Sequence, residues 1–498
     1  MPSPFRTLSF ILCIPVTCAT LRADDAPATH PEILVFPSGS ITVGHDTTRI
    51  SGPRRADGSI DYVRALDEKL AAGVTAKNNA AVVLATVVGP DFATPRAWKA
   101  MWEVWKVSPP GEAEHWMDFE HFVKAHPLPE GAETFDPTDV PSKGLPAERA
   151  TLQAWLKSNE KVLDKMVEGS KLPRYWVPTF VPPPADTLRD DRLPGLYDAR
   201  YICDALCCRA LLRLEAKDYA GFESDLKAVW RWGKLIGNAP TLIFRLIGLA
   251  TEQAATHACL TAMRTSDLPE PVLADLADFL AGLPPTPPLA DALDLEERMG
   301  VLDFVQSCAR LGPQRASSIA TATPEPQATK NVLMIDYDRV MKLVNADYDR
   351  MVAAAAKPKF AERAAAVAKI NDDIAAKQES FKTVPAQLAD FGGFIAATMM
   401  PHLGRIVIVE TTKQERHEEL TLAISLARYR LKHGAYPDKL DGLRGEFVKV
   451  IPPDRFIDAP LHYQVREGGF ILYSVGANMV DDGGESTGKM DDIAVVKK

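Results

Sequence analysis

Between residues 147 and 283, apolar side chains recur at the three- and four-residue spacing of α-helices in five successive runs. Short polar turns and three prolines at 182–184 separate the runs, and a proline-rich stretch at 284–288 ends the series. The runs predict helices over 147–168, 196–216, 219–237, 241–264 and 271–283. Lys217-Asp218 can connect two antiparallel helices, so the sequence predicts a mainly α fold, built as a helical bundle or as helical hairpins.

Further helical patterns lie on both sides of this region. Residues 60–70 carry an apolar stripe that Gly73 ends, and Thr75 is expected to cap a second helix. Helices are also expected over 331–356, 359–381 and 391–403, the last too short to span a membrane. A chain of 498 residues exceeds one usual hydrophobic core. The expected order is a linker at 24–58, a helical body at 59–312, a linker or long loop at 313–330, a helical continuation at 331–409 and a C-terminal module at 410–498.

The first 23 residues have the pattern of a cleavable secretory signal. Arg6 precedes an apolar run at 8–19, and Ala23 stands directly before two aspartates. Cleavage after Ala19 is an alternative to cleavage after Ala23, and a buried N-terminal strand is the alternative to a signal. The sequence thus predicts export to the periplasm or the cell exterior, with no membrane span after cleavage.

Charge and cysteine content narrow the choice of partner and fold. The net charge is −9 and no block of lysine and arginine is present, which argues against nucleic acid or an anionic membrane as partner. The cysteines outside the predicted signal are at 203, 207, 208, 259 and 308. Their number is odd and their spacing matches no zinc site, so they are expected to be small core residues.

Residues 92–139 are rich in tryptophan and histidine. Trp98, Trp102 and Trp105 and the histidines at 115, 121 and 126 fall in this stretch. They define one alternative for the function, an exported hydrolase or a protein that binds carbohydrate or peptide. The competing interpretation is that the tryptophans pack in the core and the histidines lie at the surface, because their spacing fits no metal-ligand pattern. The sequence contains no serine-nucleophile, zinc-protease, P-loop or dinucleotide motif.

A different pattern occupies the C-terminal end. A helix is expected over 412–433, with Gly434 suited to its left-handed closing position. Two apolar, strand-like runs follow at 461–465 and 470–474, and Arg466-Glu-Gly-Gly469 between them is typical of a hairpin turn. The sequence therefore predicts a small α+β module in which one helix packs on an antiparallel hairpin.

This module resembles the globular domain of the major pseudopilins of type II secretion. The matching residues are Tyr436-Pro437, Asp454, Pro460-Leu-His-Tyr463, Tyr473-Ser-Val-Gly-Ala477 and Asp491-Asp-Ile493. The rest of the chain contains Ile60-Asp-Tyr-Val63, Thr75–Ala81 and Leu280-Ala-Gly-Leu-Pro-Pro285. With these stretches it resembles an uncharacterised family of exported, mostly helical bacterial proteins that carry the same tail. Pseudopilins begin with a prepilin-type leader and a long apolar helix that packs into a filament. This chain has an ordinary leader, so filament assembly is not expected.

In pseudopilins the acidic loop before the end of the module binds calcium, partly through backbone carbonyls. The resemblance implies calcium ligands at Asn478, Asp491 and Asp492, with Asp481 and Asp482 as further candidates. Carboxylates spaced by glycine suit a hard cation, because glycine lets carbonyl oxygens turn inward. The alternative is a solvated acidic tail. The favoured function is an exported, non-enzymatic envelope protein with an interaction or structural role, an unknown envelope protein as partner and a calcium-stabilised end module.

Overall fold

The structure is a computed structural model. It describes residues 31–111, 114–128, 132–180, 187–188, 194–239, 241–312, 335–383, 386–387, 390–401, 403–466, 469–485 and 493–497. The predicted signal at 1–23, the predicted linker or loop at 313–330, and Asp491 and Asp492 lie outside the described residues. Among the helices of the described segments, none combines the length and the apolar character that a membrane crossing requires.

The fold is mainly helical, as the sequence predicts. The helices of the body are α1 (Tyr62–Leu70), α2 (Ala80–Val88), α3 (Pro95–Trp105), α4 (Phe119–Ala125), α5 (Val140–Lys143), α6 (Arg149–Ser158), α7 (Glu160–Gly169), α8 (Leu196–Glu215), α9 (Tyr219–Gly237), α10 (Leu242–Thr265), α11 (Glu270–Ala281), α12 (Leu289–Ala292) and α13 (Arg298–Leu311). The continuation contains α14 (Tyr337–Ala355), α15 (Phe360–Ser380) and α16 (Phe391–Thr398). Asp218 begins α9 by accepting the N–H of Gly221, which explains the tight turn between α8 and α9.

Buried asparagines correct two of the predicted helices. The single helix expected over 147–168 is broken at Asn159. The side-chain amide of Asn159 accepts a hydrogen bond from the N–H of Met117 and donates one to the carbonyl of Met117, both at 3.0 Å. The second helix begins after Asn79 rather than at Thr75. The side-chain amide of Asn79 likewise forms hydrogen bonds with the backbone N–H and carbonyl of Trp176. In each case the asparagine side chain satisfies the hydrogen-bonding groups of the backbone in a distant segment. This long-range contact sets the helix boundary.

The N-terminal segment expected as a linker at 24–58 instead contains a β-hairpin within its described part. Strands β1 (Ile33–Phe36) and β2 (Gly39–Thr42) pair antiparallel, with Leu34 opposite Ile41. Both of these side chains are buried against the helical continuation. Asp338 of α14 accepts the N–H of Thr42 at 2.7 Å. The hairpin is stabilised by burial on α14 rather than by its own length, because two short strands alone are marginal in water.

Helices α9 and α10 pack closely through glycine. A Cβ atom added at Gly248 would lie 2.4 Å from the backbone nitrogen of Gly237 and 2.6 Å from the carbonyl oxygen of Gly233. A Cβ atom at Gly233 would lie 2.4 Å from the Glu252 side chain. The missing side chains therefore let the two helix backbones touch, and this contact forms the centre of the body.

The C-terminal module has the predicted helix and hairpin, with one further strand. Helix α17 spans Gly404–His433 and ends at Gly434 in the left-handed conformation, with φ at 80°. Strands β3 (His462–Arg466), β4 (Gly469–Ser474) and β5 (Ile493–Lys497) form an antiparallel sheet in the order β3-β4-β5. The predicted hairpin is confirmed, and β5 adds a third strand with Val495 opposite Leu472.

Helix α17 joins two hydrophobic cores of the described chain. The first core combines α2 to α11 with the sheet and with Leu420–Leu426 side chains of α17. The second combines the N-terminal hairpin and α12 to α16 with Ile406 and Val407 of the same helix. The boundary expected between 409 and 410 therefore falls inside a continuous helix. The C-terminal module is built into the body and is not a separate domain.

The cysteines confirm the expectation of small core residues. All five of those outside the predicted signal are buried thiols rather than disulfides. Burial raises the pKa values of the Cys203, Cys207 and Cys208 thiols well above the usual range of a cysteine. These thiols stay protonated and unreactive at neutral pH, and they pack as small apolar groups.

Candidate functional site

The acidic loop begins after β4, and the structure describes its first half. Asn478 and Asp482 face each other across one turn, with the Asn478 amide nitrogen donating to Asp482 Oδ2 at 2.9 Å. The amide oxygen of Asn478 accepts the N–H of Val480 at 2.6 Å. Asp481 lies between them in the same turn. The structure thus brings two of the five predicted calcium ligands, Asn478 and Asp482, into contact, with Asp481 between them in the chain.

Asp481 connects this turn to the sheet. Its Oδ1 accepts the N–H of Gly483 at 2.9 Å and the hydroxyl of Tyr473 at 3.1 Å. His462 stacks on the Tyr473 ring and places its Nδ1 3.6 Å from Asp481 Oδ2. The backbone hydrogen bond from Gly483 lowers the pKa of Asp481, so this carboxyl is ionised at neutral pH.

The described half of the loop is compatible with a bound cation but does not complete a site. A carboxylate has about four lone-pair positions, so an oxygen that accepts an N–H can also bind a metal ion. Met479, Gly483 and Gly484 have positive φ, so the backbone of the loop turns sharply at these residues. Within the described residues, no three side chains of histidine, cysteine, aspartate or glutamate are arranged to hold a metal. A complete site would need backbone carbonyls or Asp491 and Asp492.

The tryptophans of the 92–139 region pack in the core. Trp102 and Trp105 of α3 are 4% and 5% exposed. Their rings meet edge to face at 5.3 Å, and Trp98 meets Trp102 in the same way at 5.2 Å. Two of the three rings are therefore closed to an extended ligand, which supports the packing interpretation.

The histidines of this region have separate environments. His115 lies against Gly89, where its ring would contact an added Cβ atom at 2.7 Å. His121 is exposed and contacts Asp118 at 2.7 Å, while His126 stacks on Phe122. In the described part of the region they do not form a shared catalytic group, so the hydrolase alternative has no assembled site to support it.

A buried charged group lies where α17 crosses α9 and α10. One oxygen of Glu252 is 2.6 Å from the ammonium of Lys413 and 3.3 Å from that of Lys234. Lys234 also donates to the Thr286 hydroxyl at 3.0 Å. Burial lowers the pKa of Lys234, while Glu252 favours its charged form. We interpret this group as a structural ion pair because its charges contact each other inside the helix packing.

Two further carboxyl groups of α17 are buried beneath the sheet. Glu415 accepts the backbone N–H of Arg455 at 2.7 Å, and Glu419 accepts a guanidinium N–H of Arg416 at 3.1 Å. Both glutamates are fully buried. Burial raises the pKa of Glu415 to about 8 and raises the pKa of Glu419 well above its usual range. Glu415 is therefore protonated at neutral pH.

The Glu415→Gln change is expected to remove part of the pH dependence of stability. Since the folded-state pKa of Glu415 is about 8 and its reference pKa is 4.5, its contribution is fully present below pH 4.5 and is lost as pH rises through 8. The loss amounts to at most about 5 kcal/mol, at about 1.4 kcal/mol for each pKa unit. Urea unfolding of both proteins from pH 5 to pH 9 measures it. Glu362→Gln, at an exposed position on α15, is the control and should follow the unaltered protein.

The junction groove lies where the end of α10 and the start of α11 meet α17 and the sheet. Its volume is about 240 Å³. It is lined by Leu260, Met263, Arg264, Ser266, Asp267, Leu268, Leu273, Ala423, Ala427, Arg430, Leu431, Gly434, Tyr436, Phe470 and Val495. This groove could not be predicted from the sequence, because its residues come from four distant segments and each segment has an ordinary core pattern.

Some of the residues behind the pseudopilin resemblance contact one another in the described part of the chain. Asp454 is fully buried and accepts the N–H groups of Phe456 and Val475 at 2.7 and 2.9 Å. The hydroxyl of Tyr463 donates to the carbonyl of Pro437 at 2.8 Å. These contacts hold the turns to the sheet. The chain itself matches no protein-family model, no curated protein and no solved structure.

Proposed function

We propose that this chain is an exported, non-enzymatic protein of the cell envelope, in which a pseudopilin-like end module is fixed to a helical body and binds calcium. The observation that supports the proposal best is the burial of α17 in the body. Leu420, Ala423 and Ile424 are fully buried and belong to the same core as α10 and α11. A module held in this way keeps one orientation relative to the body.

A fixed end module favours an interaction or structural role over filament assembly. The long helix of a pseudopilin packs into a filament, whereas α17 packs against helices of its own chain. The partner in this proposal is another envelope protein. The net charge of −9 makes nucleic acid an unfavourable partner.

Calcium would be held by Asn478, Asp481 and Asp482 together with Asp491 and Asp492 of the same loop. A bound cation supplies positive charge that offsets the repulsion among these carboxylates. The loop runs from the end of β4 to the start of β5, so a cation would connect both ends of the loop to the sheet. Calcium would therefore stabilise the pairing of β5.

Millimolar calcium is expected to raise the melting temperature of the full chain. A ligand that binds only the folded state stabilises it by mass action, by about 2.7 kcal/mol at a hundredfold excess over Kd. Replacement of both Asp491→Ala and Asp492→Ala is expected to abolish the rise. Melting curves in calcium and in chelator measure the effect. The full chain is required because α17 shares its core with the body.

The matched control is the double change Asp438→Ala and Asp441→Ala. Both carboxylates are exposed in the same module but lie outside the acidic loop. This protein should keep the calcium-dependent rise. Identical melting curves of the unaltered chain in calcium and in chelator would contradict the calcium part of the proposal.

The export part has its own test. Mass spectrometry of the protein recovered from its host should find a mature N-terminus at Thr20 or Asp24, because the leader has small residues before both positions. An intact Met1 on the accumulated protein would contradict export. It would leave the calcium part unaffected.

A further inference from the structure

The junction groove combines an apolar floor with a cationic rim. Its floor is formed by side chains from α10, α11, α17 and the sheet, including Met263, Leu273, Ala427 and Val495. Methionine and alanine at such positions leave adaptable space for an apolar group. The groove adjoins the exposed side chain of Leu431, which is 53% exposed. Apolar surface of this kind is a candidate binding surface.

Two arginines stand at the rim of the groove. Arg430 lies over the Tyr436 ring at 5.5 Å and is 3.6 Å from Asp267. Arg264 donates through one nitrogen, Nη2, to the carbonyl of Ser142 and to the hydroxyl of Thr261. A guanidinium has five N–H donors, so these arginines can also donate to a ligand. The charged residues that line the groove are two arginines and one aspartate, so the rim has a net positive charge on a chain whose net charge is negative.

We propose that the junction groove binds a medium-chain monocarboxylate, with its alkyl chain on the apolar floor and its carboxylate at Arg264 and Arg430. The positive rim is complementary to a single negative head, and Arg binds carboxylate through paired N–H groups. A cavity of 150 Å³ holds benzene, so the 240 Å³ groove has room for a somewhat larger apolar group. This inference is independent of export and of calcium.

The lining favours an alkyl chain over a peptide. A peptide would bring amide groups into the groove, and each would need a hydrogen-bond partner to offset its desolvation. The floor consists mainly of aliphatic and aromatic side chains. A wider and more polar cleft of about 580 Å³ shares Ser266 and Asp267 with the groove. The groove and the polar cleft therefore adjoin at Ser266 and Asp267.

The test is calorimetric titration of the full chain with octanoate. Octanol, which lacks the negative charge, and acetate, which lacks the long alkyl chain, serve as comparison probes. Octanoate is expected to bind about tenfold or more tightly than either, because a charge-assisted hydrogen bond and the apolar burial each contribute to affinity. Arg430→Gln should weaken octanoate binding about tenfold, and Arg430→Lys should retain part of it. Arg444→Gln, at an exposed arginine of the same module, should change nothing.

Ala427→Phe provides a second variant that fills the groove floor and should abolish binding. The binding data for Arg430→Gln and Ala427→Phe are compared only for proteins whose melting curves are close to that of the unaltered chain. Equal affinity for octanol and octanoate would overturn the assignment of the carboxylate. Unchanged octanoate binding in a folded Ala427→Phe protein would overturn the location. A tripeptide ending in leucine that binds where octanoate does not would overturn the ligand class, and so would an absence of octanoate binding at millimolar concentration.

Discussion

A Gly248→Ala protein is expected to unfold with a free energy about 3 kcal/mol lower than that of the unaltered chain. The new Cβ atom would lie 2.4 Å from the Gly237 nitrogen, so α9 and α10 would have to separate. Overpacking of this kind costs about 1–3 kcal/mol and occasionally more, and here the contact is with backbone, which cannot turn away. Helix propensity acts in the opposite direction by about 1 kcal/mol and is too small to compensate. Urea unfolding measures the difference.

Gly237→Ala is the matched control from the same helix crossing. An added Cβ atom there has its nearest neighbour at 3.6 Å, which is ordinary van der Waals contact. The change is expected to be neutral or to stabilise by up to about 1 kcal/mol, because alanine restricts the unfolded chain more than glycine does. Equal destabilisation by both changes would show that α9 and α10 do not meet as described.

The Glu252→Gln change is expected to cost about 3–5 kcal/mol of unfolding free energy, because it leaves two buried ammonium groups without their shared carboxylate. Lys234 and Lys413 are only 9% and 7% exposed, so water cannot replace the lost partner. Thermal and urea unfolding at neutral pH measure the loss. The double change of Lys413→Met with Glu252→Gln should recover part of it, since one of the unpaired charges is then removed.

Glu68→Gln on α1 is the control for the loss of a salt bridge at the surface. Glu68 is 2.7 Å from Arg64, but both side chains are more than half exposed. Its loss should cost no more than about 1 kcal/mol. A cost of similar size for Glu252→Gln would mean that the Lys234–Glu252–Lys413 group is solvated.

Regular helices and the C-terminal hairpin could be predicted because their patterns are local. Helix α9 spans the residues predicted for it, since Asp218 provides a cap next to a strong apolar stripe. The N-terminal hairpin and the break at Asn159 could not be predicted in this way. Both depend on contacts across the fold, with Asp338 for the hairpin and with Met117 for Asn159.

The packing of α17 into the body was hidden by polar residues that the fold buries. Lysine and glutamate usually lie at the solvent-exposed surface, yet Lys413, Glu415 and Glu419 are all buried. A helix with apolar and polar residues buried on several sides has no clear stripe, so its connection to the body carries little periodic signal. The acidic loop could be located from its composition, whereas the junction groove could not, because distant segments form it.

Hydrogen exchange of the full chain tests most directly whether the end module is part of the body. Amides of α17 at 420–426 share a core with α10 at 254–262, so both sets should exchange at the same slow rate, through one cooperative opening. Mass spectrometry of peptides from the two segments in calcium-containing buffer gives the comparison. If α17 and β3 to β5 exchange together and much faster than α10, the end module opens independently of the body, which would contradict the account.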